Sequence, residues 1–368
     1  MNRQRVRRIL LRSVIGLAAL ALILATAVWL LLGTQGGTEW LFTRLGTLIP
    51  GSLEVAELKG PLRGPLDIRG LVYKRDGFEM HVDHLQLEWR LRELAERRLD
   101  IQKLWADGIR IVPDPTPDET KESGPLPDLN LRFNIIVRDA RVTKLAIGGP
   151  GEPPFVIDRI DLDTTAIQNN VKVNRLAVRA PLFDADATGT VRPQGDYPVD
   201  LDLRWTARPP DLAAFNGAGR LTGTLEELKV AQELRAPFPA RLNAVLFQPL
   251  YKLRFDGRLR FQDADPRLVR ADLPAIPATG DVAIQGNLEE FTSQGQILAQ
   301  VQEKIQDVAL GQVSATYRLA RNAGDGKDQW KIEKAEIGLP GTPTRLTAQG
   351  LVTIKGEEVS FAGDASWR

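Results

Sequence analysis

Hydrophobic positions along this chain fall into two unlike patterns. From Val14 to Leu32 they run with almost no polar break, whereas from Leu53 onward they alternate with polar or charged positions in short segments closed by Gly, Pro or Asp-Gly. The first pattern is that of a membrane span, because nineteen helical residues at about 1.5 Å of rise reach roughly 28 Å, close to the hydrocarbon thickness of a bilayer. The second is that of half-buried β-strands. One helical interruption stands out at Arg90 to Arg98, where Leu91, Leu94 and Ala95 follow helical spacing.

The flanks of the apolar run orient it. Arg3, Arg5, Arg7, Arg8 and Arg12 precede it and no charge follows until Glu39, which places a basic tail, residues 1–12, in the cytoplasm and the remainder across the membrane. Residues 13–34 form the expected anchor, with Val14, Leu20, Leu24, Trp29 and Leu32 on its apolar surface. A cleaved signal peptide is the competing reading, since Ala25-Thr26-Ala27 has the small-x-small form of a cleavage site. Val28 to Leu32 continues apolar past that triplet, longer than a signal peptide's core of about 7 to 15 residues, and favours the anchor.

Beyond the anchor, Thr38 is placed to cap a short helix, Glu39 to Ile49, on which Trp40, Leu41, Leu45, Leu48 and Ile49 gather to one side. That helix either lies on a membrane surface or plugs the end of a sheet, and its sparse charge favours the plug. An N-terminal β module, 35–112, then leads to a proline-rich polar stretch, 113–130, that carries Asp114, Asp118, Glu119 and Glu122 and reads as a linker. The remaining segment, 131–368, is a run of β repeats.

Within the strands the alternation slips in a regular way. Two alternate apolar positions are followed by two polar ones and then two more apolar ones. The sets are Leu66, Ile68, Leu71, Tyr73; Met80, Val82, Leu85, Leu87; Leu99, Ile101, Leu104, Ala106; Phe155, Ile157, Ile160, Leu162; Val171, Val173, Leu176, Val178; and Trp330, Ile332, Ala335, Ile337. A simple strand keeps one parity, so each slip requires a change of face or a bulge at its midpoint. Bulges bend and twist sheets, so a slip that recurs at many strands predicts a strongly curved sheet. A longer repeat supports modular growth: Gly223-Thr224-Leu225-Glu226-Glu227-Leu228 returns as Gly286-Asn287-Leu288-Glu289-Glu290-Phe291, and Gly350 to Trp367 echoes Gly189 to Trp205.

Composition narrows the chemistry. Lys and Arg total 48 against 47 Asp and Glu, and without the basic tail the rest is slightly acidic, so no nucleic-acid partner is expected. There is no cysteine, which removes disulfides, thiolate catalysis and cysteine-bound zinc. The two histidines, His81 and His84, sit three apart, a spacing that does not bring both to one face of a regular strand. Gly60-Pro61-Leu62-Arg63-Gly64 lacks the Lys-Ser/Thr of a nucleotide loop, and no Gly-x-Ser-x-Gly elbow occurs. Asp158, Asp161 and Asp163, like Asp184 and Asp186, lack calcium-loop spacing. Arg90, Arg92, Arg97 and Arg98 form a basic cluster that either meets lipid phosphate or is a solvated helix face. No catalytic residue, metal ligand or cofactor is predicted, and the chain is not expected to be an enzyme.

With the order of these parts established, the N-terminal portion resembles the TamB family, inner-membrane subunits of translocation and assembly modules within the AsmA-like group. The resemblance is carried by Trp29-Leu30-Leu31-Leu32-Gly33-Thr34, Ile49-Pro50-Gly51, Leu53-Glu54-Val55 and Gly60-Pro61-Leu62-Arg63-Gly64-Pro65-Leu66. It continues through Gly70-Leu71-Val72-Tyr73, Leu85-Gln86-Leu87-Glu88-Trp89, Leu99-Asp100-Ile101 and Gly108-Ile109-Arg110-Ile111-Val112. It implies a single-pass anchor in a bacterial inner membrane and an elongated, taco-like β-groove in the periplasm. That groove would carry phospholipid acyl chains towards the outer membrane; the alternative is a scaffold for outer-membrane protein assembly. The family's outer-membrane partner, an Omp85-type barrel called TamA, is engaged through a C-terminal region absent here, so a fragment or short paralogue is expected. Leu66, Ile68, Met80, Val82, Phe155, Ile157, Val171 and Val173 are the candidate groove lining, although the sequence does not separate a lining from an ordinary sandwich core.

Overall fold

The structure is a computed structural model and describes residues 33–48, 51–75, 78–113, 128, 131, 133–149, 153–250, 252–305, 308–324, 327–339, 342–355 and 358–368. The expected anchor, with Val14, Leu20, Leu24, Trp29 and Leu32, and most of the proline-rich stretch lie outside the described residues. Among the described residues no helix is long and apolar enough to cross a membrane.

The chain divides into two compact units, Met1–Thr120 with Arg132–Gln168, and Lys121–Leu131 with Asn169–Arg368. The first holds helix α1 (Gln35–Leu48), strands β1 (Ser52–Lys59), β2 (Leu66–Arg75) and β3 (Phe78–Trp89), a 3-10 helix (Leu91–Glu96), and strands β4 (Arg98–Pro113), β5 (Asn134–Ile147) and β6 (Phe155–Ile167). Its strands pair in chain order, all antiparallel except β4 with β5. A parallel pair needs a return connection of a dozen residues or more, and residues 114–133 intervene here.

The second unit holds β7 (Asn170–Arg179), β8 (Phe183–Val191), β9 (Val199–Ala207), β10 (Phe215–Gly223), β11 (Glu227–Ala236), β12 (Ala240–Phe247) and β13 (Arg254–Ala264), then a short helix α2 (Pro266–Val269). It continues with β14 (Ala278–Asn287), β15 (Glu290–Ile305), β16 (Val308–Gly324), β17 (Lys327–Gly338), β18 (Arg345–Lys355) and β19 (Glu358–Trp367). All thirteen strands form one antiparallel meander. Among the described residues neither unit pairs its first strand with its last, so each sheet is open.

The slip in the apolar pattern has a physical cause, and it takes two forms. In the first unit one row crosses the sheet at Ala56, Gly70, Asp83, Gly108, Lys144 and Asp158, and the pairing register is the same on both sides of it. Gly70, Gly108 and Lys144 in that row have φ of +61°, +68° and +55°. The strands therefore turn over together, in step, without an inserted residue. Elsewhere a bulge does the work: the register shifts between Glu88 and Trp89, between Val137 and Ala140, between Val173 and Leu176, and between Ile332 and Ala335. Both devices keep the apolar side chains on one face while the strand bends.

The N-terminal helix begins earlier than its sequence suggests. Thr34, and not Thr38, caps it, because the Thr34 hydroxyl accepts the Gly37 N–H at 3.2 Å while the buried Thr38 hydroxyl donates back to the Thr34 carbonyl at 3.0 Å. A threonine inside the first turn can bond the turn before it, so the residue nearest the acidic start was not the cap. The helix packs against β1, the first strand of its sheet.

The crossing row offers a direct test. A Cβ on Gly108 would stand 2.1 Å from Oδ2 of Asp83 as well as requiring left-handed backbone, so Gly108→Ala is expected to destabilise the first unit by about 1–3 kcal/mol. Gly149→Ala, where an added Cβ meets nothing within 4 Å, is expected to shift the urea midpoint far less.

Candidate functional site

Pairing register turns the scattered apolar positions into continuous ladders. In the first unit Leu53, Tyr73, Met80, Ile111, Ile147 and Phe155 lie side by side across six strands. The next ladder is Val55, Leu71, Val82, Ile109, Leu145 and Ile157, and beyond the crossing row comes Leu58, Ile68, Leu85, Ala106, Val142 and Ile160. Leu66, Leu87, Leu104, Ala140 and Leu162 make a fourth. Leu66, Ile68 and Val82 are 2%, 3% and 6% exposed, whereas Phe155, at the rim, is 51% exposed. Met80 and Ile157 are half-buried. All six of these candidate lining residues thus belong to the same apolar face.

Val171 and Val173 belong to the second unit, where the ladders are thirteen strands long. One runs from Val173 through Gly189, Leu201, Leu221, Val230, Ala244, Gly257 and Ile284 to Gly363, and the neighbouring one starts Val171, Val191, Val199, Gly223, Leu228. The sequence echoes fall at equivalent places: Gly223 and Gly286 share one ladder, Gly189 and Gly350 another, Trp205 and Trp367 a third. The repeated turn is also the same object twice. Thr224 accepts the N–H groups of Glu226 and Glu227, and Asn287 accepts those of Glu289 and Glu290.

Several rings in these ladders lie over glycines. An added Cβ would meet the Trp205 ring at 2.7 Å on Gly217, the Phe261 ring at 2.4 Å on Gly280 and the Tyr317 ring at 2.7 Å on Gly295. Each glycine is the cross-strand neighbour of its aromatic residue. With no side chain beneath it, a ring folds sideways along the sheet, and the apolar face stays low and continuous.

Two polar residues in the ladders, Arg321 and Gln232, bond neighbouring side chains. Arg321 sits between Phe291 and Trp330 in register; its guanidinium lies 5.7 Å from the Phe291 ring and 5.5 Å from Trp330, bonds Asp328 twice at 2.8 and 3.1 Å, and reaches the Leu288 carbonyl at 2.9 Å. These Arg321 hydrogen bonds hold the Asp328 carboxyl below its ordinary range. Gln232 accepts the Trp205 indole N–H at 3.0 Å, while its own amide nitrogen is buried without a hydrogen-bond partner. Neither residue stands out in the sequence, because Arg321 and Gln232 follow the alternation only once the register is known.

The opposite face is a mesh of charge. Lys74 meets Glu79 at 3.0 Å, Arg220 meets Asp200 through two bonds of 2.7 Å, and Arg258 and Arg260 share Asp281 at 2.5 and 3.0 Å. Exposed pairs of this kind contribute about 0.2–1 kcal/mol each, so their main effect is to keep that face wet. Both histidines are here, His81 at 2.8 Å from Glu79 and His84 at 2.8 Å from Asp67. The expectation that they take opposite faces is corrected by the crossing row, which passes through Asp83 between them. Concavities of about 740 and 780 Å³ also indent the charged face of the second unit, the first around Arg258, Asp281, Arg318 and Lys334 and the second around Arg204, Arg220, Glu233 and Arg241. Neither contains a predicted lining residue.

One buried carboxylate ties the first unit together. Asp100, 1% exposed, accepts from Arg138 at 3.2 and 3.3 Å and from Gln102 at 2.5 Å, with Arg90 at 3.6 Å. It joins the 3-10 helix entry to both members of the parallel pair. Arg90 is thereby explained as part of a structural clasp. Among the described residues no cluster of three or more His, Cys, Asp or Glu could hold a metal ion.

The amino-acid sequence that builds these open sheets matches a known domain. The family model described as TamB, N-terminal domain, aligns with residues 24–147 and 121–315. The chain belongs to the TamB family. No curated protein and no solved structure gave a match. The TamB alignment spans both units and carries the resemblance seen in the first part of the sequence well into the thirteen-strand meander.

Charge in this TamB-family chain makes a pH prediction. Arg159, at 2.7 Å, and then Arg141, at 3.0 Å, hydrogen-bond Asp161 and hold its carboxyl below the usual range. A carboxylate depressed in the folded state stabilises above its unfolded pKa, and that contribution is lost as pH falls through the folded pKa. Asp161→Asn is therefore expected to lower the urea midpoint at neutral pH and to narrow the difference between neutral and acid midpoints.

Proposed function

We propose that this protein is a periplasmic lipid conduit, anchored in the inner membrane by its N-terminal apolar run, whose ladders cover phospholipid acyl chains on their way to the outer membrane. The observation that carries the reading is the single-layer apolar face. A soluble sheet normally buries such a face against a second layer. Here, among the described residues, α1 packs on β1 and the 3-10 helix on β4, and the closest backbone contacts otherwise run between neighbouring strands of an open sheet.

The energetics suit a passive conduit. Exposing a sixteen-carbon chain to water costs roughly 12 kcal/mol at about 0.8 kcal/mol per methylene. A face of largely apolar ladders lowers that barrier from strand to strand, so movement along it needs no chemical step in this chain. An assembly scaffold would offer strand edges to a client, and apolar ladders that run across the strands of an open sheet support the conduit instead. Docking to a TamA-like barrel belongs to the same proposal and rests on family membership.

Protein extracted from membranes with mild detergent is expected to carry phospholipid countable by mass spectrometry. Leu145→Glu, a charge within a ladder, is expected to lower that count about tenfold, equivalent to about 1.4 kcal/mol, while Lys229→Glu on the charged face leaves it unchanged. Lipid-free wild-type protein, or equal loss in both variants, would contradict the conduit.

A further inference from the structure

We infer that the space between α1 and β1 receives one acyl chain of a membrane phospholipid, with α1 as its movable cover. A cavity of about 330 Å³ lies there, walled by Phe42, Leu53, Val55 and Leu58 and edged by Glu39 and Thr43. That volume falls within the range of small-ligand sites, about 300–1,000 Å³. Its shape of surface is right for a lipid, with an apolar wall and a polar lip.

Position identifies the occupant. Leu53, Val55 and Leu58 are the first members of three apolar ladders, so whatever enters this cavity stands at the head of the conduit face. The apolar run ends at Leu32 and α1 begins at Gln35, which leaves no length of chain to carry the cavity far from a bilayer holding that run. An acyl chain leaving the membrane meets this opening first.

Gln35 reaches the Leu58 carbonyl at 3.4 Å, a long hydrogen bond, and splits its amide with Glu39 at 2.9 Å. The helix contains Gly36, Gly37 and Gly46, each about 1 kcal/mol less favourable in a helix than alanine. At Gly36 an added Cβ would meet nothing within 4 Å, so packing does not demand that glycine. A helix of this composition yields without disturbing the sheet behind it.

The inference rests on the conduit reading, and one experiment separates the two. The full chain in phospholipid nanodiscs carrying a diazirine in one acyl chain is photolysed and the adducts are mapped by mass spectrometry. Adducts are expected at Phe42 and Val55 as well as at Ile109 and Ile160. Because the chain has no cysteine, Phe42→Cys with Val55→Cys can be bridged by a short reducible bifunctional maleimide. Bridging is expected to lower labelling at Ile109 and Ile160 about tenfold, with recovery on reduction. Phe42→Glu, which needs no bridge, is expected to abolish adducts in the cavity. Labelled ladders with an unlabelled cavity, or ladders still labelled in the bridged protein, would overturn the entry site and leave the conduit standing. Unlabelled ladders in the unmodified chain would overturn both.

Discussion

A β-sheet that stands as one layer has nothing behind it to bury an apolar face, so that face must be kept on the same side through every bend of every strand. The period of a strand is two residues, and any kink threatens to turn half of its side chains over. This chain meets the difficulty with a row of coordinated turns through Gly70, Asp83, Gly108 and Lys144 in the first unit, and with bulges such as that between Val173 and Leu176 in the second. Ladder continuity, the placement of glycines beneath aromatic rings and the charge mesh on the opposite face all depend on parity being preserved at those points.

The two faces divide the labour. Ion pairs such as Arg220 with Asp200 and Arg258 with Asp281 are exposed and individually weak, yet together they keep one side of the sheet soluble and neutral. The apolar side cannot be merely greasy, because aromatic rings standing upright would break it into compartments. Gly217, Gly280 and Gly295 accept the rings of Trp205, Phe261 and Tyr317 along the sheet instead. Where charge does enter a ladder, at Arg321, a carboxylate, a carbonyl and two aromatic faces surround it.

Much of this was legible in the sequence because alternation is local. The strands, their slips and a helical interruption within Arg90 to Arg98, which is a 3-10 helix at Leu91–Glu96, follow from spacing, as does the repeat whose turns are built on Thr224 and Asn287. Pairing is not local. The parallel partnership of β4 and β5 and the clasp of Asp100 on Arg138 join residues more than thirty positions apart. The spacing of His81 and His84 predicts opposite faces on a regular strand, but the strand turns over at Asp83 between them. Thr38 precedes the expected helix and has a capping side chain, while the hydroxyl that accepts belongs to Thr34.

The central claim is that acyl chains lie on the ladder face, parity change included. Single cysteines placed in turn along β7, each labelled with a small fluorophore, are challenged with phospholipid brominated in its acyl chains. Quenching at Val171, Val173, Leu176 and Val178, with none at Lys172, Asn174 and Arg175, is the predicted result. Quenching that ignores the bulge and follows strict alternation, or that is equal at all seven positions, would contradict the account.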